Sequence, residues 1–152
     1  MYTNVELKVI DYLKLYKGES GLYIIRAKKN KASVLKNICS KLGLPFKSDV
    51  AYLGKGAKLK TTDLYIRSRQ EMGWSNFSET TFVKKIGLYL GLDVRDKNNK
   101  TLQLSTRNFI VETFDIECKI APNSKDLLTW ETEQIKQLKA CLNDKKNNLK
   151  ST

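Results

Sequence analysis

Residues 61–105 constrain the fold more than any other stretch, because cap and turn residues divide them into short, regular segments. Thr61 or Thr62 can cap a first helix through its hydroxyl, and Gly73 can end that helix in the left-handed conformation. A serine then precedes a second predicted helix over 79–90. A polar hairpin follows, with strands at 92–95 and 101–104 and its turn at 96–100. This order predicts a winged helix-turn-helix, whose second helix fits a DNA major groove.

The rest of the chain divides by its apolar periodicity into a segment before this motif and a segment after it. The first segment alternates helical stripes with β-forming runs, at 4–16, 22–26, 31–42 and 49–53. The second predicts a half-buried strand over 108–120 and a helix over 125–142. We therefore predict an α+β protein in three parts: a basic helix-strand subdomain at 1–60, the winged helix-turn-helix at 61–105, and a strand with a C-terminal helix and polar tail at 106–152.

The charge of the chain is strongly positive and unevenly placed. Twenty-eight Lys and Arg face sixteen Asp and Glu, which gives a net charge of +12. Residues 1–60 hold thirteen basic and four acidic residues (+9), against fifteen and twelve (+3) in 61–152. A field of this sign favours polyanions and speeds encounter with them. DNA, mainly as a duplex, is the predicted partner, ahead of an anionic membrane surface.

Several residue types are absent or badly placed for catalysis. The chain has no histidine, which excludes Ser-His-Asp and Cys-His catalysis and zinc sites that need imidazole. Its three cysteines, Cys39, Cys118 and Cys141, lie far apart among apolar neighbours, so we expect reduced core thiols in a cytoplasmic protein. There is neither an NTP-binding loop nor a run long enough to span a membrane. Neither a cofactor nor a metal is predicted.

The predicted DNA contacts lie mainly on the outer face of the second helix. Arg67, Arg69, Lys84 and Lys85 are expected to anchor phosphates, Thr80 and Thr81 to reach base edges, and Ser75 and Asn76 to hold a phosphate in the turn. Lys97 and Lys100 at the hairpin tip, with Lys28 and Lys29 in the basic N-terminal segment, extend the set. The plainer interpretation is a solvated helical face of an ordinary α+β domain. Tyr23 and Tyr52 fit stacking on unpaired bases, but core positions in strands fit them better.

The segment 63–95 resembles the winged-helix module at the C-terminal end of poxvirus primase-helicases and of related phage and plasmid primases. The matching positions are Leu64, Tyr65, Trp74, Ser78, Phe82, Lys84, Lys85, Leu90 and Gly91. The resemblance implies a non-enzymatic DNA-binding protein of a phage, virus or plasmid, acting in replication or transcription control. A host or replication protein would then be a further partner.

One enzymatic alternative rests on the strand that contains Asp115, Glu117 and Lys119. Glu-x-Lys is half of a PD-(D/E)xK nuclease site, in which two carboxylates hold Mg²⁺ and the lysine assists the attacking water. Asp63, Asp93 or Asp96 would have to supply the other carboxylate. Such a pattern is common by chance in a highly charged chain, and the interpretation without catalysis is favoured.

Two further patterns are weaker. The run Gly-Leu-Tyr-Ile-Ile at 21–25 is similar to the opening of the GIY-type nuclease motif. That motif requires a second strand with Tyr-x-Gly, which is not expected to follow, so this nuclease is not predicted. In the last helix, Leu128, Ile135, Leu138 and Leu142 approximate a heptad seam that would suit a homodimer, although packing onto the protein's own core is the default.

Overall fold

One antiparallel sheet organises the computed structural model, which describes residues 2–57, 62–74, 81–92, 100–122 and 126–143. Its strands are β1 (Gly21–Ala27), β2 (Val50–Gly56) and β3 (Phe114–Ile120), in the order β2-β1-β3. The helices in these ranges are α1 (Asn4–Leu13), α2 (Ala32–Lys41), α3 (Leu64–Glu71), α4 (Thr81–Tyr89), α5 (Lys100–Thr113) and α6 (Leu127–Leu138). Short 3₁₀ helices cover Lys14–Tyr16 and Cys141–Asn143. The predicted α+β class is confirmed.

The two faces of the central strand β1 belong to two separate clusters of buried side chains. Tyr23 and Ile25 point into the main core, which α1 to α5 help to build. Leu22 and Ile24 point the other way and pack with Ile135 of α6. Because β1 is covered on both faces, its sequence is a nearly continuous apolar run. The sheet joins strands from the first and the last of the three predicted parts.

The start of α3 differs in detail from the prediction. Asp63, and neither threonine before it, caps the helix: its Oδ1 accepts the backbone N–H of Ile66 at 2.8 Å. Its Oδ2 accepts the N–H of Gly18, also at 2.8 Å. One carboxylate therefore satisfies donors in two segments, which a single hydroxyl does less well. Gly73 follows the helix with a φ of +89°, as predicted for a glycine at the end of a helix.

The second predicted helix is confirmed as α4, and its buried side chains include Phe82, Val83 and Ile86. The hairpin predicted to follow this helix is not confirmed. Its second strand, predicted at 101–104, is instead the start of α5. Residues 93–99, the remainder of that hairpin, lie outside the described residues. The structure therefore supports the helix pair, while the wing is not confirmed.

Helix α5 also shortens the strand predicted over 108–120, of which only the part from Phe114 is β3. The buried residues Thr106, Ile110 and Thr113 recur every three or four positions, as on one face of a helix. Two of the three are threonines, so a search for apolar residues overlooks the stripe. Both mistaken strands, at 101–104 and 108–113, have this cause.

The prediction of three reduced thiols was wrong for two of them. Cys39 on α2 and Cys141 form a disulfide, with their Cα atoms 6.4 Å apart and 102 positions between them in the sequence. Cys118 is a buried thiol, and burial raises its pKa to about 12.

No helix in the described ranges is long and apolar enough to cross a bilayer.

Candidate functional site

A cleft of about 1230 Å³ runs along the edge strand β2 and is bordered by α3, α4 and α6. Its charged and phenolic lining residues are Tyr23, Tyr52, Lys55, Arg67, Lys84, Lys85, Asp126 and Glu131. Leu53, Leu88, Leu127, Leu128 and Ile135 form much of its apolar lining. Four cations against two carboxylates give this lining a net charge of +2, so the cleft favours an anionic ligand.

Two tyrosines approach the cleft from adjacent strands. In the register of β1 and β2, Tyr23 lies opposite Gly54, and Ile25 lies opposite Tyr52. A Cβ at Gly54 would overlap the Tyr23 hydroxyl, so the phenol can occupy this place only because Gly54 has no side chain. The segment Tyr52-Leu53-Gly54 is a Tyr-x-Gly strand paired with the Gly-Leu-Tyr strand. The expectation that no such strand follows was therefore wrong, and the intervening helix α2 explains why it was overlooked.

The Tyr23 hydroxyl is held by a buried carboxylate. It donates to Glu71 Oε1 at 2.7 Å, and Glu71 Oε2 accepts the backbone N–H of Phe82 at 3.0 Å. Glu71 thus joins β1, the end of α3 and the first turn of α4. Burial holds the pKa of Tyr23 well above its ordinary value of 10.0, and the charge of Glu71 adds to this effect. Burial and Glu71 raise the pKa of Tyr52 as well, so both phenols are neutral at physiological pH.

A lysine and a glutamate meet at the α6 side of β2. Lys55 Nζ lies 3.0 Å from Glu131 Oε1, and the glutamate side chain is only 11% exposed. Asn143 secures the same strand: Leu53 donates its N–H to Asn143 Oδ1 at 2.8 Å, and Asn143 Nδ2 donates to the Leu53 carbonyl at 2.7 Å. These bonds satisfy backbone groups of an edge strand that would otherwise be open to another chain.

The opposite side of the cleft presents cations from two helices. Arg67 on α3 donates through Nη1 to Gln70 Oε1 at 3.0 Å. On α4, Thr81 and Lys84 are exposed, whereas Lys85 is half-buried and its Nζ atom is fully enclosed. Four predicted DNA-contact residues, Arg67, Thr81, Lys84 and Lys85, therefore line one cleft.

The other predicted contacts are placed elsewhere or are not described. Arg69 does not line the cleft, and its guanidinium lies over the Tyr65 ring at 5.3 Å from the centroid. Lys28 and Lys29 lie between β1 and α2, and Lys100 is exposed at the start of α5. The predicted residues Ser75, Asn76, Thr80 and Lys97 lie outside the described residues.

The residues of the PD-(D/E)xK alternative lie on β3, which forms the other edge of the sheet from β2. Glu117 pairs with Arg26 at 2.9 Å, and the oxygens of Asp63 cap α3 and bind Gly18 as described above. Asp93 and Asp96 lie outside the described residues, as do any contacts they make. Among the residues that are described, no group of three or more His, Cys, Asp or Glu could hold a metal ion.

Sequence reasoning missed Glu131 and Asn143, and it preferred core positions to a binding site for Tyr23 and Tyr52. The pair of tyrosine motifs was a usable signal, had a longer spacing between the strands been allowed. The position of α6 left no local signal, because only the folded chain brings Glu131 to Lys55. No protein-family model, curated protein or solved structure matches the chain.

Proposed function

We propose that the cleft binds the backbone of DNA and hydrolyses a phosphodiester bond with the help of a divalent cation. One observation carries this proposal: two neutral phenols, several cations and a largely buried carboxylate line the same cleft. Binding alone would need only the cations. The phenols and the carboxylate add groups that can move a proton and hold a metal ion.

The pairing of β1 with β2 supports the same reaction class. A Gly-Leu-Tyr strand directly beside a Tyr-Leu-Gly strand resembles the GIY-type nuclease motif, now with both of its halves present. This is an analogy of motif and placement, and it carries less weight than the chemistry of the side chains.

Arg67 and Lys84 would hold the phosphate. A planar guanidinium can donate two parallel hydrogen bonds to phosphate oxygens, and an exposed ammonium adds charge that the bound backbone neutralises. Because both groups already line the cleft, their charge is in place when negative charge develops on the phosphate during attack.

Glu131 would be the protein ligand of the cation. Magnesium is commonly bound through one or two carboxylates together with a substrate phosphate, so one glutamate is sufficient. The fit is supported by the ammonium of Lys55, a cationic group that already lies 3.0 Å from Glu131 Oε1. When bound, the metal would neutralise charge on the phosphate, and the ammonium of Lys55 would add positive charge beside it.

Hydrolysis consumes one water molecule. The water oxygen forms a new bond to phosphorus, the bond from phosphorus to the sugar oxygen breaks, and the proton lost by the water ends on that sugar oxygen. Tyr52 can relay this proton, because a neutral phenol carries one O–H to donate and lone pairs to accept.

Helix α4 would guide the DNA duplex to the cleft. Its exposed Thr81 and Lys84 suit contact with a groove and its phosphates, as expected from the sequence, and this contact does not need a wing. Action in phage, virus or plasmid replication or transcription control rests on the resemblance to primase modules alone.

The test is cleavage of supercoiled plasmid by the full chain with and without Mg²⁺. We expect Mg²⁺-dependent nicking that Glu131→Gln slows by about 100-fold, the scale of losing one electrostatic contact in the transition state. Glu117→Gln is the matched control, since Glu117 is half-exposed and lies on the other edge of the sheet. DNA binding in EDTA should be similar for both variants.

Three results separate the alternatives. Loss of cleavage in Glu117→Gln and Lys119→Ala, with Glu131→Gln active, would transfer the activity to the β3 site. Binding without cleavage by the wild type would support a non-enzymatic DNA-binding protein. Absence of both would overturn the proposal.

A further inference from the structure

Two exposed leucines lie in the lining of a cleft that is otherwise suited to an anion. Leu88 on α4 is 65% exposed and Leu128 on α6 is 54% exposed, and both line the cleft. Neither is among the buried residues of its helix. Both leucines are therefore open to contact with a ligand in the cleft.

The cleft pairs apolar groups with cations in a fixed arrangement. Lys84 precedes Leu88 by four residues, so α4 presents an ammonium and an apolar side chain next to each other on one face. A nucleotide has the same two parts, a charged phosphate and a base whose flat faces are apolar. Neither a free phosphate nor a purely apolar peptide would contact both the ammonium and the apolar side chain.

The α6 side differs from the α4 side in charge. Asp126, which lines the cleft beside Leu127 and Leu128, caps α6 by accepting from Thr129. These hydrogen bonds hold the pKa of Asp126 below its ordinary value, so the group is negative at neutral pH. Near Asp126, at the start of α6, a phosphate is repelled, whereas Arg67 and Lys84 attract it. The backbone of a bound strand would therefore follow Arg67 and Lys84 towards the cation at Glu131, while its bases face Leu88 and Leu128.

A leucine gains from contact with the face of a base only when that base is not stacked on its neighbours. In regular duplex DNA the faces are covered, and apolar side chains reach them only where the stack is opened. Resting on the proposed function, we propose that the cleft selects DNA with unpaired or unstacked nucleotides at the scissile phosphate, with Leu88 and Leu128 contacting their bases.

The experiment compares three DNAs of one sequence: a fully paired duplex, the same duplex with a central two-base bulge, and the single strand. Affinity is measured in EDTA, with 2-aminopurine at the bulge to report unstacking, and cleavage is measured separately with Mg²⁺. We expect the wild type to prefer the bulged duplex to the paired duplex by about tenfold, equivalent to burying one leucine side chain.

Leu88→Ser and Leu128→Ser should each lose most of this preference and keep their affinity for the paired duplex. Leu15→Ser is the matched control, because Leu15 is 73% exposed and does not line the cleft. It should behave like the wild type. Circular dichroism and thermal melting of all three variants exclude a folding defect, which is unexpected at positions this exposed.

Equal affinity of the wild type for paired and bulged DNA would overturn the inference, as would leucine variants that keep the preference. A change of oligomeric state in these variants, with no change towards DNA, would assign the leucines to a protein contact and also overturn it. If the wild type prefers the bulged duplex in EDTA but does not cleave it with Mg²⁺, the inference on binding is supported. Only the proposed hydrolysis is then contradicted.

Discussion

The buried cluster around Glu6 and the cleft beside β2 both take charged groups out of water, but they differ in how those charges are balanced. Glu6 has no exposed surface, and Arg107 donates to both of its oxygens, at 3.0 and 3.1 Å. Trp74 Nε1 donates to it at 2.6 Å, and the backbone N–H of Thr3 donates at 3.0 Å. Every charge there has an opposite partner within the fold.

The cleft is not balanced in this way. Its lining has four cations and two carboxylates, and one of these cations, Lys55, lies at ion-pair distance from Glu131. A buried ion pair contributes to structure when its partners satisfy each other, whereas unbalanced charge in a cavity favours a ligand of opposite sign. The comparison thus separates groups that maintain the fold from groups that are available to a substrate.

Removal of Glu6 should have the largest effect on stability. Glu6→Ala leaves the Arg107 guanidinium largely buried without its carboxylate, which costs about 3–5 kcal/mol of unfolding free energy. Urea denaturation measures this loss. Asp11→Ala on the same helix is the control. Asp11 lies 3.5 Å from Lys14, but both side chains are exposed, so this ion pair contributes little to stability. Equal stability of the two variants would mean that the Glu6 cluster does not hold the fold.

Removal of the disulfide should rank second. The bond closes a long loop and ties α2 to the 3₁₀ helix that contains Asn143. The double variant Cys39→Ser/Cys141→Ser should lose about 2–4 kcal/mol of unfolding free energy. Dithiothreitol should destabilise the wild type by a similar amount and leave the double variant unchanged. A wild type insensitive to the reductant would count against this cross-link.

Gly54→Ala tests whether cleft geometry also has a stability cost. The added methyl would overlap the Tyr23 hydroxyl, and such overpacking costs about 1–3 kcal/mol. The rate of DNA cleavage should fall together with the stability. Ring carbons of Tyr23 would overlap the methyl as well, so the double variant Gly54→Ala/Tyr23→Leu, which removes the ring, should recover part of the stability, a coupling that a thermodynamic cycle measures. Strictly additive effects would show that the two residues do not meet as described.

Lowering the pH should destabilise the protein less than Glu6→Ala does. Burial of Glu6 raises its pKa, but hydrogen bonds from Arg107, Thr3 and Trp74 outweigh this and lower it from 4.5. Its stabilising contribution is therefore fully present above that value and is lost as pH falls through the lower pKa of the folded state. Melting temperature should fall more steeply below pH 4.5 in the wild type than in Glu6→Gln. Parallel curves would contradict the lowered pKa.

Lys84→Glu should have the smallest effect on stability, because the side chain is exposed on α4. DNA affinity should nevertheless fall, and the dependence of affinity on salt should become less steep because one phosphate contact is lost. Lys29→Glu, at an exposed lysine outside the cleft, is the matched control. Equal losses in both variants would indicate binding by net charge alone.

Sequence patterns predicted what depends on neighbouring residues. The helix α4 and its face with Thr81, Lys84 and Lys85 follow from a stripe of apolar residues with polar residues between them. Helix α5 was missed because buried threonines interrupt its apolar stripe. The same patterns could not give the second side of the cleft.

That second side depends on contacts between residues that are distant in the chain. Lys55 and Glu131 are 76 positions apart, and Asn143 meets Leu53 across 90. No periodicity or cap records such a pairing, so a single sequence predicts the cations on α4 but not the carboxylate that faces them.

The most direct test is the single-turnover rate of Mg²⁺-dependent DNA cleavage by Arg67→Ala and Arg26→Ala. Arg67 lines the cleft, whereas Arg26, on the central strand β1, does not and is paired with Glu117 on the edge strand β3. We predict that Arg67→Ala is slower than the wild type by about 100-fold or more while Arg26→Ala retains nearly the full rate. Equal rates for the two folded variants would contradict the claim that this cleft performs the hydrolysis.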